Sequence, residues 1–233
     1  FSFPDNRDVN LAPNERILLV DSQFGVDEIY GLGLPVSGVY RGNLNNGGET
    51  LTLMAPDGIT ILFSTTYDGA DPWPEEADGN GSSLVLTNPE DLDSAASWRP
   101  SVQMGGAPGA NDSTRFSGDP EADLDNDGIP AFAEYAMGSS DNLAGDNVGL
   151  TSFVIDESGH WEFTFPRALA ADDVIPSVEI APDLEAWTAL QPVDASLFKS
   201  WVADGKIWRT YRSASPALLE KRFLRVRYQT GLN

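Results

Sequence analysis

Cysteine is absent from this chain of 233 residues. That removes disulfides, thiolate catalysis, cysteine zinc sites and iron–sulfur clusters together. Histidine occurs once, at His160 in the turn ESGHW. A serine triad would need it, yet no nucleophile-elbow serine motif accompanies it, and a lone turn histidine is expected to be an exposed surface residue. GLGLPVSG lacks the lysine and the strand–helix frame of a phosphate-binding loop. Basic side chains are scarce, 14 against 36 acidic ones, for a net charge of −22. Such acidity repels nucleic-acid phosphates and anionic lipid surfaces and favours solubility and cation binding. No apolar run approaches the roughly 18 residues of a membrane span, so no membrane insertion is expected. No internal repeat with a period of about 20–50 residues is visible.

What remains is enough to build a core. Hydrophobic residues make up 41% and aromatics 10%, with 22 glycines and 16 prolines scattered between short runs. Strand-like segments dominate: 15–22, 49–56, 59–67 and 83–88 in the first half, then 151–156, 161–167, 177–182, 185–192, 206–213 and 222–229. ETLTL and ITILF flank MAPDG and read as a hairpin, as do TSFVID and WEFTFPR around ESGH. WRTYR and RFLRVRY alternate large apolar residues with arginine, the period of two of a strand with one buried face. Helix is expected only over IPAFAEYAM (129–137) and over SPALLEK (215–221), with Ser215 as cap and Pro216 at the first helical position. The expected fold is all-β: two small β-sandwiches joined by an acidic connector with one short helix. The domains run 1–113, 114–147 and 148–233.

The connector is where the charge is ordered. Residues 1–113 carry a net of −13, 114–147 a net of −7 and 148–233 a net of −2. Within the connector, DLDNDGIPAFAE (123–134) places Asp123, Asp125, Asp127 and Glu134 at positions 1, 3, 5 and 12 of a calcium loop. Gly128 at position 6 makes the sharp turn, and the Ile129 carbonyl falls at position 7. Calcium wants six to eight hard oxygens in flexible geometry, which this spacing supplies. A signalling hand would need an incoming helix, a pairing residue at position 8 and a sister loop. Here FSGDPEA is a poor helix, Pro130 occupies position 8, and no second loop occurs. The ion is therefore expected to staple, with Glu134 reaching back from the helix and Phe132, Tyr135 and Met137 packing against a neighbouring domain.

DLDNDGIPAFAEYAMG resembles the single calcium loops, similar to thrombospondin type 3 units, found in linkers of secreted bacterial proteins. The resemblance implies Asp123, Asp125, Asp127 and Glu134 as ligands and Asp119 and Glu121 as accessory ones. It departs at position 9, where Ala131 leaves a water or an empty site. A wider likeness covers residues 1 to about 112. FSFPDNRDVNLAPNERILLV, GVYRGNLNNGGETLTLMAPDG, TTYDGADPWPEEADGNGSSLVL and SWRPSVQMGGAPGAND, in that order, resemble bacterial lamin-tail domains. Those are immunoglobulin-like β-sandwiches of secreted or surface proteins, and the family implies no catalytic residues. Such domains begin with a further strand or two, so the resemblance implies that the sandwich is completed by a preceding piece of the same protein or by a strand donated from another chain. The C-terminal part, with APDLEAWTALQP and RFLRVRY, is similar to short β modules that end surface proteins of marine bacteria.

Other chemistry has weaker signals. Glu75 and Glu76 beside Trp73 present paired carboxylates near an aromatic, but adjacent residues point apart, and a polar loop is the plainer reading. Of the six tryptophans, Trp201 in FKSWVADGK falls in a loop-like stretch and is the best candidate for a sugar platform. NGS and NDS, at Asn80 and Asn111, fit the glycosylation pattern. The expectation is a non-enzymatic, calcium-stapled structural or adhesive module of the bacterial exterior, its ion fixing the angle between the two sandwiches. The expected partner is a protein or glycan at the cell surface. The alternatives are a carbohydrate-binding accessory of a secreted hydrolase and a fibre subunit that self-assembles by strand donation.

Overall fold

The computed structural model describes residues 1–3, 10–13, 15–216 and 222–231. The sequence-predicted helix over 215–221 lies largely outside them. The chain divides into two compact units, Phe1–Asp112 and Ser113–Asn233. Both are built mainly from β-strands, and the protein is all-β in class.

In the first unit, β1 (Leu18–Val20) and β2 (Val36–Val39) pair in parallel across an intervening helix, α1 (Gln23–Tyr30). Helix α1 was not expected. Ser22 caps it, its hydroxyl accepting the Gly25 amide at 3.1 Å, and none of its residues is buried, so no apolar stripe announces it in the sequence. The expected hairpin is present as β3 (Glu49–Met54) and β4 (Ile61–Tyr67), antiparallel. Asp57 fixes its turn by accepting the amides of Ile59 and Thr60 and the Thr60 hydroxyl. β5 (Leu84–Leu86) and β6 (Trp98–Pro100) form a third two-stranded sheet.

Apolar burial in this unit is thin. Val20 is its only buried hydrophobic residue among the described ones, while Leu53, Ile61 and Leu62 on the hairpin are exposed. Its best-buried feature is polar. Arg99 pairs with Asp112, side chains 3% and 7% exposed, and Asp112 also accepts the Val102 amide. Breaking one partner of so dry a pair leaves an uncompensated charge, which is why this knot holds the end of the unit together.

The second unit has two antiparallel sheets. β7 (Ser152–Ile155), β8 (Trp161–Ala168), β11 (Ala195–Ala203) and β12 (Lys206–Ser213) form one in the order β11-β12-β8-β7. β9 (Val174–Ala181), β10 (Thr188–Ala189) and β13 (Phe223–Thr230) form the other in the order β10-β9-β13. The sheets meet in one cluster: Phe163, Phe165 and Tyr211 from the first against Val178, Leu224 and Val226 from the second. On β13 the alternation works as expected, with Leu224 and Val226 in the cluster and Arg225 and Arg227 paired to Glu179 on the other face. On β12 it does not. Arg209 lies opposite Phe165 and shares a face with Tyr211, so an arginine points inward and Trp208 outward. Burial lowers the Arg209 pKa, and its Nη1 is buried without a hydrogen-bond partner.

Two further expectations are corrected. Of residues 185–192 only Thr188–Ala189 form a strand, and FKSWVADGK (198–206), expected as loop-like, supplies most of the nine-residue strand β11 and the start of β12. Helix α2 (Ala131–Met137) ends at Gly138 in the left-handed conformation, φ 78°. It packs within its own unit: Ala136, Ala171 and Val174 form a second cluster with Phe132, Tyr135, Ala168 and Tyr228 against it. Tyr135 donates to Asp173 at 2.7 Å, tying the helix to the turn before β9.

Candidate metal centre

The loop before α2 gathers its acids by using its own amides. The Asp127 amide donates to Asp125 Oδ1 at 3.1 Å, the Ile129 amide to Asp127 Oδ1 at 2.9 Å, and the Gly128 amide to Asp123 Oδ2 at 3.1 Å. Two left-handed residues, Asn126 at φ 61° and Gly128 at φ 90°, turn the chain sharply enough to allow this. The result is a cluster in which Asp123, Asp125 and Asp127 each bring a carboxylate oxygen within 4.8 Å of the others.

Glu134 arrives from α2. It is fully buried, and its Oε1 accepts the Ser139 hydroxyl at 3.2 Å. Its Oε2 has no hydrogen-bond partner, and neither do the buried atoms Asp123 Oδ1 and Asp125 Oδ2. An unpaired buried carboxylate oxygen costs far more than an exposed one, so those of the clustered Asp123 and Asp125, and that of Glu134, call for a counter-charge. Desolvation pushes the Glu134 carboxyl up, and the charges of Asp125, Asp127 and Asp146 add to it. Desolvation also raises Asp125, reinforced by Asp127, Asp123 and Asp141 against the pull of the Asp127 amide. Asp127 moves the other way, held down by the amide of Ile129 and by Asn147. Hard oxygens, no nitrogen or sulfur donor, and a surplus of negative charge suit Ca²⁺ and disfavour zinc or copper.

Of the sequence-predicted ligands, the fold brings Asp123, Asp125 and Asp127 into one cluster and buries Glu134 within reach of their charges. Ile129 follows Gly128 in the same turn. The accessory pair does not join the cluster. Asp119 accepts the Glu121 amide and lines a separate cavity of about 400 Å³ with Arg115, Leu124, Tyr135 and Asp141. The sequence reading missed the strap after α2, residues 139–147. Asn147 Nδ2 and the Gly145 amide donate to Asp127 Oδ2, and Leu124 donates to Asp141 at 3.0 Å. The signal was present as the acids of SSDNLAGDN, beyond the twelfth position where the loop template stops.

The other candidates are engaged elsewhere. His160 is half-buried rather than exposed, and its Nδ1 meets the Ser213 carbonyl at 2.8 Å. Asp156 accepts the His160 backbone amide, not its ring, so Ser213, His160 and Asp156 are neighbours without the geometry of a triad. Glu75 and Glu76 lie on a 3₁₀ turn, and neither lines the 370 Å³ cavity of the first unit, whose wall includes Trp98, Tyr67, Asp68 and Asp78. Trp201 is on β11, stacked on Trp208 at 5.9 Å and 9°, with Lys199 Nζ 4.7 Å from its ring. Trp73 contacts Trp98, Trp161 stacks on Phe153, and Arg225 lies 4.2 Å over Trp187. Every tryptophan thus already has a ring or cationic partner.

No family model matches this chain, and neither a curated protein nor a solved structure matches it.

Proposed function

We propose that the protein is a non-enzymatic structural or adhesive module of the bacterial exterior, held in shape by one Ca²⁺ bound to Asp123, Asp125, Asp127, the Ile129 carbonyl and Glu134. The observation that carries this reading is Glu134, a fully buried carboxylate with an orphaned oxygen that feels the charges of Asp125 and Asp127, two of the three clustered aspartates. The ion ties the loop to α2, and α2 is part of the cluster with Ala171 and Val174. Its work is therefore to stabilise the second unit, which in a chain without disulfides is a role for a metal. Millimolar calcium outside cells keeps even a weak site of this kind filled.

The test is a melting curve with calcium and with excess chelator, repeated on Asp125→Ala. Chelator lowers the transition by many degrees in the wild type and leaves the variant unmoved. Two superimposed wild-type curves would sink the proposal.

A second reading concerns the first unit, which we take to be a lamin-tail-like, immunoglobulin-like sandwich completed by a further strand. Its support is that, among the described residues, the unit has three separate two-stranded sheets and Val20 as its one buried hydrophobic residue. If chains complete one another in this way they form fibres. Electron micrographs at high protein concentration would then show polymers, and monodisperse particles would count against it.

A further inference from the structure

The cavity of about 370 Å³ in the first unit has no part in the calcium reading. Its walls come from two of the unit's sheets: Leu51 on β3, Thr65 and Tyr67 on β4, Leu84 on β5 and Trp98 on β6. Concave, largely apolar space with a few polar groups converging on it is the usual form of a small-ligand site. The side-chain donors in these walls are already spent. The Trp98 indole N–H goes to the Leu92 carbonyl at 2.9 Å, and the Thr65 hydroxyl to the same carbonyl at 2.8 Å. The Tyr67 hydroxyl goes to the Asn45 carbonyl at 2.8 Å. Trp98 therefore offers the cavity its ring and no proton. The exposed rim carries charge of one sign, from Asp68 and Asp78. A Cβ on Gly69 would lie 3.4 Å from Asp78 Oδ1, so the Asp78 carboxylate packs on the backbone next to Asp68. Asp68 is held by the Ala70 amide, which donates to its Oδ1 at 3.0 Å. Among the described residues no lysine, arginine or histidine lines the cavity, and neither aspartate is in an ion pair.

We infer that this cavity binds an organic cation, an ammonium group on an apolar stem. The stem lies against Leu51, Leu84 and the Trp98 ring, and the ammonium sits at the rim with Asp68 and Asp78. An ammonium only donates hydrogen bonds, so it asks nothing of walls whose own donors are engaged. A sugar fits less well, because its hydroxyls accept as well as donate. An anion would meet two carboxylates and no counter-charge. The Trp98 ring adds cation–π attraction to any charge within about 6 Å of its centroid. A lysine side chain on a peptide and a free alkylamine share this chemistry. A donated apolar strand would use the same walls and leave the two acids idle.

The test is titration of the ¹⁵N-labelled full chain with hexylammonium, 1-hexanol and hexanoate, three probes with one stem and different charge, followed by amide and indole chemical shifts. The expected result is saturable shifts at Leu51, Leu84 and the Trp98 indole, with hexylammonium at least about fivefold tighter than hexanol and hexanoate weakest. Added NaCl weakens the ammonium and spares the alcohol. The double variant Asp68→Asn/Asp78→Asn brings hexylammonium down to the affinity of hexanol. Both positions are exposed, so the fold tolerates the change, and Asp91→Asn, an exposed acid outside the lining, leaves binding unaltered. Nα-acetyl-lysine methylamide, run beside hexylammonium, names the source. Binding by either supports the inference, and the tighter of the two tells peptide from free amine. No shift at the cavity walls with any probe overturns it. So does hexanol binding as tightly as hexylammonium, which would make the cavity a plain apolar gap of the kind a strand fills. A cation preference that survives the double variant overturns it as well.

Discussion

Replacing Glu134 by glutamine should change the sign of its effect with calcium. The side chain keeps its size and loses its charge at a position that is fully buried. Without calcium, the wild type must bury a carboxylate with one orphaned oxygen beside Asp123, Asp125 and Asp127. An amide at the same place is cheaper by roughly 1–3 kcal/mol, the span between an unsatisfied polar group and an unsatisfied charge. In chelator, then, Glu134→Gln should be the more stable protein. With calcium the order reverses, because the variant has lost the carboxylate that links helix to ion. If that loss weakens binding about 100-fold, the variant forfeits about 2.7 kcal/mol of ligand stabilisation once the wild-type site is saturated. For a unit of this size each kcal/mol moves the melting temperature by about 3–5 °C. Set against a 1 kcal/mol advantage of the variant without the ion, the low end of that range, this leaves the wild type about 1.7 kcal/mol ahead, so it should melt about 5–8 °C above the variant in calcium and about 3–5 °C below it in chelator. Differential scanning calorimetry in the two buffers is the assay. A variant that is less stable in both buffers by the same margin would refute the reasoning, since Glu134 would then be holding only Ser139.

Asp156 has its carboxyl held down to about 2 by the Ser158 hydroxyl first, then by the His160 and Ser158 amides and Arg212. A depressed carboxylate contributes stability above its unfolded value near 3.8 that is lost as pH falls towards 2. Asp156→Asn should flatten that acid limb of the melting temperature between pH 4 and pH 2, and an unchanged limb would contradict the assignment. Gly138→Ala places a Cβ on a left-handed residue, 3.2 Å from Lys206 Cε and 3.3 Å from Ala168 Cβ. It should cost about 1–2 kcal/mol in urea unfolding, and a neutral result would mean the cap is not strained. Arg209→Met removes a buried guanidinium nitrogen that has no partner, so it should be neutral or stabilising, whereas a loss above about 2 kcal/mol would contradict that reading.

The parts of the fold that were legible are those where one rule dominates. Trp161–Ala168 and Phe223–Thr230 alternate cleanly, and their predicted and observed limits nearly coincide. Strand β11 was missed although Asp204 and Gly205, both at positive φ, form the tight turn that joins it to β12. The shift of register between Leu197 and Lys199 breaks its alternation, so its exposed Leu197 and Phe198 and its paired Trp201 read as loop. Helix α1 escaped because Gly25 weakens its pattern and it buries nothing. At the candidate site, the local spacing of acids picked out the three aspartates that cluster and the glutamate that is buried. The strap was not legible because Asp141 and Asn147 reach the loop through tertiary contacts that no spacing rule encodes.

Equilibrium dialysis of the full chain against ⁴⁵Ca²⁺, with an excess of Mg²⁺ to occupy weak surface carboxylates, tests the central claim most directly. The account predicts saturable binding of one ion per chain that Mg²⁺ does not displace and that Glu134→Gln reduces. Diffuse, non-saturating uptake that Mg²⁺ abolishes would contradict it, and the twelve residues from Asp123 to Glu134 would be an acidic turn without an ion.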